Sequence, residues 1–343
     1  MSERTPQNAR YRDAGVDLDA AAAVKSRLRA LVERTLPAGA VGPGLFSGLL
    51  PRPDGSHLAA TIDGVGTKTG IAAWTGRYRG LGIDIVHHCA DDLLAVNARP
   101  LFFLDYFGAS RLEPALLLEV VEGMAGACEG VGAALLGGET AQMPGTYAEG
   151  EIDIVGCMIG SVAPGALITG RDVEPGDAVI GLASDGLHTN GYSLARRALF
   201  ESGRFAVDDR LAALGGETLG EALLRPHRHY GAAVDAALAV AGVRAMAHIT
   251  GGGIEENLAR VLPAGAGAAI DAGAWAVPPL FALIAEAGGI AADEMRRVFN
   301  MGIGFCLVVP RDAAASALAA ARATGVEAWA IGETVVGGGV RWG

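Results

Sequence analysis

Five short stretches of the sequence gather side chains that can hold phosphate or a metal ion, and nearly all follow an apolar run. Residues 186–196 read GLHTNGYSLAR, with His188, Thr189, Asn190, Gly191 and Ser193 ahead of a helical pattern. Thr189, Asn190 and Ser193 can each cap a helix, and a cap needs only one of them. Free N–H groups at a helix start also attract anions, so the stretch reads as a cap or as a phosphate grip. Residues 248–260, HITGGGIEENLAR, repeat that design with Gly251, Gly252 and Gly253 before a helix carrying Asn257. Successive glycines let a backbone approach a ligand closely.

Residues 61–68, TIDGVGTK, end an apolar strand with Asp63, Gly64, Gly66, Thr67 and Lys68. Such a loop can offer N–H groups, a carboxylate for Mg²⁺ and a mobile ammonium to a polyphosphate. Its spacing is neither that of a P-loop nor that of a dinucleotide fingerprint, and a tight hairpin turn is the other reading. In 82–98, GIDIVHHCADDLLAVNA, Asp84, His88 and Asp92 fall at i, i+4 and i+8 and share one helix face. That face either holds a hard cation or is a solvated acidic surface; the His87–His88 pair reads as surface or capping. Residues 135–145, LLGGETAQMPG, bring Gly137, Gly138, Glu139 and Thr140 to a strand end, a common place for ligand sites and also for plain turns.

The elements that must position these groups follow from periodicity. Helical spacing covers 16–36, 83–97 and 113–132, while 152–162 alternates as a sheet strand. The apolar run 133–138 opens into a loop from 138 to 147. A Gly- and Pro-rich stretch at 164–175 separates two halves of similar texture. The second half reads as a strand at 178–183, helices from about 190 and 230, and strands near 243–250, 268–271, 304–309 and 327–331. Mixed strands and helices in both halves predict an α/β (α+β) fold of two mixed-sheet domains, the C-terminal one an α/β sandwich. The expected domains are 1–168 and 169–343.

The bulk numbers bound the partners. A chain of 343 residues suits about two domains. With 51% hydrophobic residues and 19% charged, it has a core and no disordered bulk. The net charge of −11 disfavours nucleic acid and anionic membranes. The cysteines (89, 128, 157 and 306) have neither disulfide nor zinc-ligand spacing, which fits a reducing compartment. The polar N-terminus lacks a signal-peptide apolar run, and 154–170 is too broken by Pro164 and glycines to span a membrane. A soluble, cytoplasmic chain is expected.

Taken together and in order, YRDAGVDLDA, DGVGTK, GIDIV with the following Cys and DLL, PLFFLDY, GGETAQMPG, DIVG, HTNGYSL, TGGG with EN and RVLP, and FNMGIGF resemble one family. It is the phosphoribosylformylglycinamidine cyclo-ligase (AIR synthetase) family, matched from about residue 11 to at least 309. DGVGTK with GGET alone would indicate only the wider superfamily, which includes selenophosphate synthetase and thiamine monophosphate kinase. The first cysteine here is Cys89, whereas selenophosphate synthetase carries a reactive residue near its N-terminus. A thiamine monophosphate kinase-like phosphotransferase is the alternative.

The resemblance implies an enzyme of purine biosynthesis that closes the imidazole ring of a ribonucleotide with ATP and Mg²⁺. It implies that Asp63, Gly64, Gly66, Thr67, Lys68, Gly138, Glu139 and Thr140 bind the nucleotide. Asp63, Asp84, Asp92 and Glu139 become the metal ligands. His188, Thr189, Asn190, Gly191, Ser193, Gly251, Gly252 and Asn257 become substrate contacts. Lys68, Asp92 and His188 become the catalytic groups, His188 having a pKa suited to proton transfer. The first domain then binds ATP and forms a homodimer through its sheet, and the second holds the substrate loops. The chain departs from the family pattern at Asp91, where Asn is usual, and at Gln142, where Glu is usual.

Overall fold

The structure, a computed structural model, describes residues 14–15, 18–42 and 44–343; the start of YRDAGVDLDA and of the 16–36 helical pattern lies outside them. Helix α1 (Leu18–Glu33) leaves Val24, Leu28 and Leu31 exposed.

The first sheet contains β1 (Gly48–Pro51), β2 (His57–Gly64), β3 (Arg99–Ala109), β4 (Ala134–Gln142) and β5 (Ile152–Val162), in the order β1-β2-β5-β3-β4. Only β3 and β4 run parallel. From Asp153 onward strand β5 alternates half-buried and buried residues, as a strand with one covered face should. The cover is helix α3 (Arg79–Leu94) and helix α4 (Pro114–Val131), over a core that includes Ala59, Phe103, Phe107, Ile154 and Met158. Between β2 and α3 lies the short helix α2 (Thr69–Thr75). Helices α3 and α4 cross at Gly82 and Gly123. A β-carbon at Gly82 would stand 2.0 Å from the Val120 carbonyl oxygen, and one at Gly123 2.1 Å from that of Arg79. Only glycine permits that backbone contact.

The second sheet contains β6 (Ala178–Ala183), β7 (Ala245–His248), β8 (Ala266–Ile270), β9 (Ile303–Val309), β10 (Ala328–Val336) and β11 (Gly339–Trp342), in the order β11-β8-β10-β6-β9-β7. Strands β6 and β9 are buried throughout, which is why they read as unbroken apolar runs. Helix α7 (Gly231–Val240), helix α8 (Gly253–Ala259) and helix α11 (Ala314–Ala323) join their core. A separate cluster gathers α5 (Tyr192–Phe200), α6 (Leu219–Leu223), α9 (Pro279–Gly288) and α10 (Ala292–Val298), together with Ile71 of α2.

Two mixed sheets with helices is the expected architecture. One expected loop is strand instead: β4 runs on to Gln142 and takes in GETAQ. The parallel ladder to β3 continues through Thr140 and Gln142, overriding the two glycines that suggested a turn. No helix among the described residues is long and apolar enough to cross a membrane.

Candidate active site

Helix α3 turns its second face toward the loops of the other domain, and the polar residues on it are buried: Asp84, His88, Asp91 and Asp92. The spacing did place Asp84, His88 and Asp92 together, but along an interior seam and not on a solvated surface. Lys68 Nζ lies 2.9 Å from Asp84 Oδ1 and 2.7 Å from Oδ2. The same ammonium donates to the carbonyls of His188 at 3.1 Å and Arg225 at 2.9 Å. Its three donors are thus engaged. Burial lowers the Lys68 pKa and raises that of Asp84, and each charge opposes the other's shift. In this structure Lys68 is held as a pin between the domains, and Asp84 is its counter-ion.

A hydrogen-bonded chain crosses the junction beside that pair. Asp63 Oδ2 meets His88 Nε2 at 2.9 Å, and His88 Nδ1 meets Thr189 Oγ1 at 2.6 Å. Thr189 Oγ1 lies 3.4 Å from His227 Nδ1, and His227 Nε2 faces His248 Nε2 at 3.0 Å. His248 Nδ1 meets Asp92 Oδ1 at 2.8 Å, and Asp92 Oδ2 accepts from Thr61 Oγ1 at 2.9 Å. Burial alone would depress the His88 pKa, but Asp63, Asp92 and Asp91 outweigh it and raise it to about 9. Burial would raise the Asp63 carboxyl, yet His88 holds it below its usual range. Burial, then the surrounding positive charges and neighbouring imidazoles, push His188 and His227 well down, so both are neutral.

His188 has a φ of 61°, and its ring stacks on His227 with centroids 4.0 Å apart. Its Nε2 accepts from the Asp185 N–H at 3.1 Å, and Asp185 pairs with Arg228. The histidine is 1% exposed, so in this conformation it shapes the loop and presents no base to solvent.

The loops for an anion lie nearer the surface. Thr67 Oγ1 and Ser193 Oγ are 3.0 Å apart, joining DGVGTK of one domain to HTNGYSL of the other. The cap of α5 is Gly191, with φ 79° and no side-chain cap bond. Neither Thr189 nor Asn190 caps the helix, because Thr189 is committed to His88. The first-turn N–H groups are therefore free of side-chain caps, as an anion site needs. The late loop has a packing reason for its glycines: a β-carbon at Gly253 would stand 1.9 Å from the Arg296 carbonyl oxygen. Gly252 has φ 97°, and Gly251 lies against Asn190 Oδ1. Asn257 is buried, and its Nδ2 donates to the carbonyls of Thr250, Gly251 and Gly253. It braces the turn.

The four expected metal carboxylates are not one ligand set. Asp63, Gly156, Asp105 and Gly138 pair in line across the sheet and share its helix-covered face. Glu139 is the next residue, so the pleat turns it to the opposite face from Asp63. Asp92 is already committed to His248 and Thr61. Thr140, in register with Phe107, follows on β4, and Gly66 opens a 3₁₀ turn with nothing within 4 Å of its missing β-carbon. Gln142 Oε1 accepts the Leu112 N–H at 3.1 Å, and Asp91 Oδ1 takes the Tyr230 N–H at 3.1 Å and His229 Nδ1 at 2.7 Å.

Sequence reading missed Thr61, His227, His229 and His248. The signal available was the His-Arg-His run before a helix and a histidine closing β7 beside three glycines. Six of the seven histidines meet at this junction, from segments far apart in sequence.

Two mixed-sheet domains meeting over paired glycine loops define a class. Residues 46–162 match the family described as AIR synthase related protein, N-terminal domain, and 174–342 match its C-terminal domain. The chain is 46% identical over 336 residues to a phosphoribosylformylglycinamidine cyclo-ligase of Sorangium cellulosum (strain So ce56), covering 96% of each. It is similar to the crystal structure of tt0281 from Thermus thermophilus, with TM-score 0.62 and 26% identity over 92% of this chain and 95% of that one. AaThiL complexed with AMPPCP and TMP shares the fold, with TM-score 0.63 at 17% identity over 92% of each chain. The chain belongs to the phosphoribosylformylglycinamidine cyclo-ligase family, and so to the ligases.

Proposed function

We propose that the chain closes the imidazole ring of formylglycinamidine ribonucleotide, consuming ATP and releasing aminoimidazole ribonucleotide, ADP and phosphate. A formamide oxygen is a poor leaving group. Transfer of the γ-phosphoryl to it makes an imidate, the amidine nitrogen of the same molecule attacks, and the oxygen departs as phosphate. Positioning and charge neutralisation carry such a reaction. The observation that supports the reading most is the Thr67–Ser193 contact, because it sets two phosphate-capable loops from separate domains side by side. AaThiL, with AMPPCP bound, shows that this fold accommodates a nucleotide. Its 17% identity gives no reason to prefer a thiamine phosphate substrate.

In this reading the first domain, 1–168, carries the nucleotide and the second, 169–343, carries the substrate loops. Gly64, Gly66 and Thr67 offer backbone and hydroxyl donors, with Gly138, Glu139 and Thr140 on β4 as the second nucleotide segment. The N-terminus of α5, with Asn190, Gly191 and Ser193 and the neighbouring Gly251 and Gly252, receives the ribose phosphate. Mg²⁺ accompanying ATP would find Asp63 half-exposed beside the glycine loop. The outward face of the first sheet carries a row of Ile62, Cys157 and Leu104, with Ile62 68% exposed, and pairs two chains as a cytoplasmic homodimer. Glu139 lies on that outward face, beside the subunit contact. Purified chain with the ribonucleotide, ATP and Mg²⁺ yields a diazotisable aromatic amine. Phosphate release without such an amine overturns the reading.

A further inference from the structure

We infer that Asp91, His227 and His248 form a zinc site that staples the two domains, separate from the Mg²⁺ that accompanies ATP. Asp91 Oδ2 is buried and receives no hydrogen bond. It lies 3.6 Å from His227 Nε2, which in turn lies 3.0 Å from His248 Nε2. The donor atoms of the three residues all fall within 4.8 Å of one another. Tetrahedral zinc with bonds of about 2.0–2.1 Å sets its ligands roughly 3.3 Å apart, so small ring rotations complete the set.

The surroundings hold each donor in the orientation a metal requires. His248 Nδ1 gives its hydrogen to Asp92 Oδ1 at 2.8 Å, which leaves the Nε2 lone pair aimed at the site. Thr189 Oγ1 stands 3.4 Å from His227 Nδ1 and can do the same for that ring. Asp91 Oδ1 is fixed by the Tyr230 N–H and His229, leaving Oδ2 as the free donor. Two imidazoles with one carboxylate suit zinc, whereas Mg²⁺ takes oxygen ligands. Three protein ligands leave one tetrahedral position for a small oxygen ligand. Asp91 belongs to α3 of the first domain, while His227 and His248 belong to the second, so the metal ties the halves together.

The test uses the full chain without a histidine tag, equilibrated with Zn²⁺, freed of loose metal and assayed by elemental mass spectrometry. About one zinc per chain is expected, with a Tm that rises on Zn²⁺ addition and falls with chelator. Asp91→Asn and His227→Gln, checked for folding by circular dichroism, bind zinc at least roughly tenfold more weakly. His57→Gln, outside the cluster, keeps it. Substoichiometric zinc in the native chain with an unmoved Tm overturns the site, as does wild-type zinc affinity in both variants. If the variants do not fold, Co²⁺ in the native chain decides: intense four-coordinate visible bands support the site, and their absence overturns it.

Discussion

Lys68 and Asp84 form an ion pair with no exposed side-chain surface, and the same ammonium grips two carbonyls across the domain junction. The pair ties the first glycine loop to α3 and to the His188 loop together. Removing one partner of such a pair leaves a buried charge without compensation, which costs about 3–5 kcal/mol. Lys68→Ala therefore lowers the free energy of unfolding measured in urea by that order and loses turnover with it. A raised KM for ATP at unchanged stability would show instead that Lys68 acts on phosphate.

Stability should depend on the charge of His88. Its folded pKa of about 9 lies above the ordinary 6.5, so its contribution is complete below 6.5 and fades as pH rises through 9. The loss amounts to up to about 3 kcal/mol. Urea unfolding across that range should show the decline, and His88→Gln should flatten it. A native chain equally stable at both ends would contradict a protonated His88.

Gly191→Ala puts a β-carbon 2.4 Å from the Phe299 ring at a backbone φ of 79°. The strain alone is worth roughly 1–3 kcal/mol. Because Gly191 caps α5, the loss should appear in KM for the ribonucleotide as well as in Tm. Unchanged KM would detach the helix start from the substrate phosphate.

Asn257→Ala strips three carbonyls of their shared donor, and a buried unsatisfied group costs about 1–3 kcal/mol. Thermal unfolding measures it. A fall in affinity for the ribonucleotide with no loss of stability would return Asn257 to the substrate contacts.

Ile62→Lys places charge in the exposed apolar row of the first sheet. It should convert a homodimer into a folded monomer in sedimentation velocity, with unchanged far-ultraviolet circular dichroism. Dimer formation at wild-type strength would move the contact elsewhere.

Local patterns in the sequence carried much of this architecture. The alternation of 152–162 and the apolar run 178–183 correspond to β5 and β6 residue for residue, because burial on one face or two writes its own period. The helix spacing of Asp84, His88 and Asp92 was equally visible. What lay beyond reach was partnership. Nothing near Lys68 in sequence announces that Arg225 and His188 consume its donors, and His227 and His248 reach Asp91 and Asp92 only through the docking of two domains. Glu139 was legible as a strand-end carboxylate, but the continuation of β4 put it on the face opposite Asp63.

The most direct test of the central claim follows one oxygen atom. Ribonucleotide labelled with heavy oxygen in its formyl group is turned over with ATP, and the released phosphate is examined by mass spectrometry. Ring closure through a phosphorylated formamide predicts one labelled oxygen in each phosphate. Unlabelled phosphate alongside a closed ring would contradict it.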